Sequence, residues 1–134
     1  MMLTSFQDLL TAAHRQTEPQ RLLLAFAKAE LPDAATTAQR ERFDASEGGT
    51  LSPVLCVDKA PVDIANFEAL VEESIRTGMD WDVVFVTSLS GRAGVAPSSD
   101  EAAQPLRFMV NAINNGRVAE FAAFDRHGNV LQFS

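Results

Sequence analysis

Three short apolar runs limit what this chain can fold into. They are Leu22–Ala27 (LLLAFA), Val54–Val57 (VLCV) and Val83–Val86 (VVFV), and amphipathic or turn-rich stretches separate them. Alternate side chains leave opposite faces of a sheet, so an unbroken apolar run of this length suits a strand covered on both faces. Leu22–Ala27 on its own also permits a buried helical segment. Val83–Val86, β-branched and aromatic throughout, is the clearest strand. Pro53 is tolerated at the start of the second run.

Helical signals lie between and around these runs. Thr4 with Gln7 forms a capping-box pattern ahead of Phe6, Leu9, Leu10 and Ala13, which share one helical face. Thr36 with Gln39 repeats the pattern and predicts a short helix to about Ala45. Asp63 is the expected N-cap of a third helix with Ile64, Phe67, Leu70, Val71 and Ile75 inward. Glu68, Glu72, Glu73 and Arg76 point outward, and Gly78 stands at the C-terminal cap. Ser98 with Glu101 is a further capping box. Pro105 conflicts with one helix running on from there, so the pattern predicts a turn near 100–103 and the main helix from Pro105. That helix would bury Leu106, Met109, Val110 and Ile113. Val118–Phe124 and Val130–Phe133 flank Asp125–Asn129, which reads as a hairpin.

The expected order is α-β-α-β-α-β-α-β-β. It predicts one compact α/β domain over residues 1–134, with a mixed, mostly parallel sheet of about five strands flanked by helices and closed by a C-terminal β-hairpin. A content of 46% hydrophobic and 22% charged residues excludes intrinsic disorder. The net charge is −7, with two lysines and scattered arginines, which excludes a nucleic-acid footprint. The longest apolar run falls far short of a membrane span. No basic leader followed by an apolar core opens the chain, and a single cysteine cannot form an intrachain disulfide. The expected location is therefore cytoplasmic.

Ligands of open parallel α/β sheets sit beyond the carboxyl ends of the strands. That rule singles out Asp58 and Lys59 after the second run, and Ser88, Ser90, Gly91 and Arg92 after the third. A Ser-Gly-Arg loop suits a small anion, since glycine lets main-chain N–H groups converge and arginine adds a fork of donors. Adjacent strand residues face opposite ways, so Asp58 and Lys59 are not expected to touch. Cys56 reads as a buried small hydrophobe inside its strand. His14 and His127 lack partners at metal-ligand spacing, so no metal and no cofactor is expected. Asp80 and Asp82 read as solvated turn carboxylates. On the final hairpin, Phe121, Phe124, Leu131 and Phe133 are candidates for an interface with a second copy or another protein.

Five segments together carry a resemblance that spans nearly the whole chain: EPQRLLLAFAKAELP, GGTLSPVLCVDK, WDVVFVTSLSGR, the APSS that follows it, and FDRHGN. They resemble a family of short proteobacterial proteins whose members often carry the label ribonucleotide reductase subunit alpha. The chemistry of that label requires one cysteine as a thiyl radical and two more as reductants, and this chain has one cysteine in all. The residues do not support it. The leading expectation is a non-catalytic binding or interaction domain that associates with itself through the hairpin or an uncovered sheet edge. The alternatives are a small enzyme or sensor of an anionic metabolite at Ser90-Gly91-Arg92, and an acidic chaperone-like protein.

Overall fold

The computed structural model describes residues 5–30 and 50–132. The proposed Thr4 cap, the Thr36–Ala45 helix and Phe133 lie outside the described residues. In chain order the elements are α1 (Phe6–His14), β1 (Gln20–Glu30), β2 (Thr50–Lys59), a single 3-10 turn (Pro61–Asp63), α2 (Phe67–Arg76), β3 (Val83–Ser90), α3 (Ser99–Asn114), β4 (Ala122–Phe124) and β5 (Val130–Leu131).

The five strands form one sheet in the order β2-β1-β3-β4-β5. All four pairings are antiparallel, which overturns the mostly parallel sheet expected from the sequence. The error has a physical origin. An unbroken apolar run reports that both faces of a strand are covered, and it carries no information on direction. β2 and β3 do run the same way, joined through α2, but β1 lies between them and opposes both.

Both faces are indeed covered. Leu22, Leu24 and Phe26 of β1, Val84 and Val86 of β3, and Phe124 of β4 meet Phe6 and Leu10 of α1 and Phe67 and Leu70 of α2. The intervening residues Leu23, Ala25, Ala27, Val83, Phe85 and Ala123 meet Ala102, Met109 and Ile113 of α3. This two-residue alternation makes three layers, with α1 and α2 on one face and α3 on the other.

The helix ends show where local chemistry decided. Ser5, one residue beyond the expected cap, begins α1 by accepting from the Asp8 N–H. Asn66 rather than Asp63 caps α2, because Pro61–Asp63 is taken up in the 3-10 turn. α3 runs unbroken through Pro105, contrary to expectation. Its capping box forms in full, with the Ser98 hydroxyl on the Glu101 N–H and the Glu101 carboxylate on the Ser98 N–H. The inner side of α3 then packs against β1 and β2, and the helix absorbs the one hydrogen bond a proline removes. Ile75, expected inside, is exposed, and Ser74 takes the inward position.

Candidate functional site

β2 and β3 run the same way, so Lys59 and Ser90 close the same end of the sheet, beside the start of β1. Leu22 pairs with both Lys59 and Ser88, and Gln20 pairs with Ser90. All six residues singled out in the sequence thus lie at this end. The strand period then divides them. Lys59, Ser88 and Ser90 stand on the α1/α2 face, whereas Asp58, opposite Leu23, stands on the α3 face.

The side chains of Asp58, Lys59, Ser88 and Ser90 each have a partner within the chain. Arg21 gives both Nε and a terminal nitrogen to Asp58 Oδ2 at 2.5 Å, in a pair about four-fifths buried. Ser99, in the first turn of α3, donates to the other carboxylate oxygen at 3.2 Å. On the opposite face Lys59 Nζ meets Glu73 of α2 at 2.8 Å. The Ser88 hydroxyl donates to Gln20 Oε1 at 2.5 Å, and Gln20 Nε2 donates to Ser90 Oγ at 3.1 Å. Arg21, Glu18 and Gln20 escaped sequence reasoning. Their signal was their place just ahead of the Leu22 run, which puts them at the mouth of the same sheet end.

The loop after β3 is a tight turn. Arg92 and Val95 exchange both main-chain hydrogen bonds, and the central Ala93 and Gly94 have φ of 52° and 80°. Two successive positive φ angles define a type I′ turn. The Gly94 N–H donates to the Glu18 carboxylate at 2.8 Å, and the Gly91 N–H to the Pro19 carbonyl at 2.8 Å. A Cβ at position 91 would lie 2.2 Å from the Val95 carbonyl oxygen, so this close crossing requires glycine. Two main-chain donors of this loop are therefore taken up by a carboxylate and a carbonyl. Arg92 is exposed and borders an open cleft of about 200 Å³, whose wall includes Glu101.

The hairpin residues are distributed differently from expectation. Phe124 is fully buried and packs edge-on against Phe6 at 5.5 Å, so it offers no surface to a partner. Phe121 is half-buried, edge-on to Phe85 at 6.4 Å. With half-buried Leu131 it lines an open groove of about 340 Å³. The hairpin itself forms over Asp125–Asn129, where Asp125 Oδ1 accepts from the N–H groups of His127 and Asn129.

At the far end of the sheet, Asp80 bridges Lys28 and Arg126 at 3.0 and 3.1 Å. The Lys28 hydrogen bond and charge, assisted by Arg126, hold its carboxyl below the usual carboxylate value. Asp82 accepts from the Ala29 N–H at 2.8 Å, and Arg126 lies 5.5 Å over the Trp81 ring. These carboxylates are exposed, as expected, and they also tie a strand end together. Cys56, expected inside, is exposed on edge strand β2, and the desolvation its surroundings impose raises its thiol pKa. His14 and His127 are both exposed. Among the described residues no group of three His, Cys, Asp or Glu side chains could hold a metal ion, and no helix is long and apolar enough to cross a membrane. Comparisons with protein-family models, with curated proteins and with solved structures find no match.

Proposed function

We propose that this chain is a self-associating interaction domain. One contrast supports the reading. The polar side chains at the strand ends, Arg92 apart, are bound within the chain, while the sheet ends in the ten-residue strand β2 with no strand beyond it among the described residues. A site that does chemistry, or that grips a small ion, keeps donors, acceptors or a nucleophile turned toward its ligand. Here Asp58, Lys59, Ser88, Ser90 and the turn amides turn toward partners in the chain. An open edge strand carries a row of unused main-chain donors and acceptors, which is an incentive to pair.

Sedimentation velocity across a dilution series tests this. A dimer that dissociates on dilution supports the reading, and a monomer at every concentration overturns it. The competing anion reading rests on Arg92, and titration with inorganic phosphate addresses it. The proposal expects no rise in melting temperature, because a saturating ligand would raise it. A rise lost in Arg92→Ala would favour the anion site.

A further inference from the structure

Resting on that reading, we infer that the contact is the outer edge of β2 from Val54 to Asp58, paired antiparallel with the same segment of a second copy about a two-fold axis at Cys56. The direction of the main-chain groups follows from β1. The carbonyls of Ala27 and Pro19 accept from Asp82 and Gly91 on the β3 side. Odd-numbered residues of β1 therefore turn toward β3, and even-numbered ones toward β2. The β2 partners of Leu22, Leu24 and Phe26 are Lys59, Val57 and Leu55, which bond inward. Asp58 and Cys56, between them, turn their N–H and C=O groups outward.

The other half of the edge is guarded. Pro53 pairs with Ala27 and so belongs to the outward set, where it has no N–H to give. The register slips between Phe26 and Ala27, which leaves Val54 as the extra residue of a bulge. Proline and bulge are devices that blunt an edge. Beyond them no strand among the described residues pairs with the edge, and no charge occurs from Leu51 to Val57.

That lack of charge identifies the occupant. In a chain of net charge −7, a strip without charge brings no like-charge repulsion against its own copy. The adjoining Asp58 is neutralised by Arg21, and Lys59 by Glu73. With the axis at Cys56, each Asp58 faces Val54 of the other copy, which keeps the two carboxylates apart. Pro53 then faces Lys59, an inward-bonded residue that asks for no N–H. The surface is isologous, as a two-fold dimer requires.

The test uses the full chain. Cys56→Lys places a charge on an exposed side chain of the edge, and Phe108→Lys places one on the exposed outer side of α3 as a control. With both variants retaining the parent's circular dichroism, and its melting profile at dilutions where the parent is monomeric, loss of the dimer in Cys56→Lys alone is the expected result. A dimer that survives Cys56→Lys overturns the inference but leaves self-association standing, whereas a parent chain that is always monomeric overturns both. A second measurement needs no variant. Cys56 is the sole thiol, so a short bismaleimide should join two copies of the native chain and not of the urea-unfolded chain. A dimer that resists this linkage places the contact elsewhere.

Discussion

Replacing Ser74 with alanine removes one oxygen from a helix and should destabilise the core well beyond the size of the change. Ser74 is 2% exposed and Trp81 fully buried. The indole Nε1–H donates to Ser74 Oγ at 2.8 Å, while that hydroxyl donates to the Val71 carbonyl at 2.6 Å. The ring is also fixed edge-on to Phe26 at 4.9 Å, so it cannot turn to find another acceptor cheaply. Ser74→Ala leaves a buried donor unpaired, at a cost of about 1–3 kcal/mol. Alanine returns roughly 0.5 kcal/mol of helix propensity, so the net loss is about 1–2 kcal/mol. In urea that lowers the midpoint by roughly 0.5–1 M. Trp81→Phe removes the donor and leaves a cavity, but the Ser74 hydroxyl keeps its bond to Val71. Adding Ser74→Ala in the Trp81→Phe background should therefore cost much less than in the parent. Circular dichroism is the appropriate probe, since Trp81 is the only tryptophan. Equal costs in both backgrounds, or a parent cost within about 0.5 kcal/mol of zero, would refute the reasoning.

Three further outcomes follow from the geometry. Gly91→Ala forces a Cβ into the Val95 and Pro19 carbonyls and should cost about 1–3 kcal/mol in urea unfolding, with loss of protection at the Gly91 and Val95 amides. Asp58→Asn strips the charge partner from a largely buried Arg21 and should cost about 1–2 kcal/mol, while Asp58→Ala costs at least as much because the Ser99 contact goes too. Asp80 has its folded pKa lowered below 3.8, chiefly by the Lys28 hydrogen bond. Its contribution is thus present above the unfolded value and is lost as pH falls through the folded one. Asp80→Asn should flatten the acid limb of the stability profile, and high salt should do the same to the parent, because the pair is exposed.

The sequence made the layers legible more readily than the connections between strands. Leu22–Ala27 and Val83–Val86 marked strands with both faces covered, and both are. Direction was not encoded in those runs, since antiparallel strands between two helix layers need the same apolar residues as parallel ones. The capping box at Ser98 and Glu101 was legible because both partners lie within one helical turn. The unbroken α3 was not, because long-range packing of Met109 and Ile113 on the sheet outweighed the local objection of Pro105. The inward place of Ser74 was not legible, because its partner Trp81 lies seven residues on, past the end of the helix. At the candidate site the six residues lie at one sheet end, although the parallel-sheet rule that singled them out does not hold here, and their partners Glu18, Gln20, Arg21 and Glu73 come from other elements. Those partners hold Asp58, Lys59, Ser88 and Ser90 within the chain, while Arg92 is exposed.

Residue-resolved amide exchange, followed across a dilution series, tests the central claim most directly. The N–H groups of Val57 and Lys59 bond to β1 and should be protected at every concentration. Those of Cys56 and Asp58 face outward, so they should be protected only where the dimer is populated and exchange freely once it dissociates. Rapid exchange of both amides at concentrations where the chain is fully associated would contradict the account. So would protection that persists in the monomer, which would mean that the chain covers its own edge.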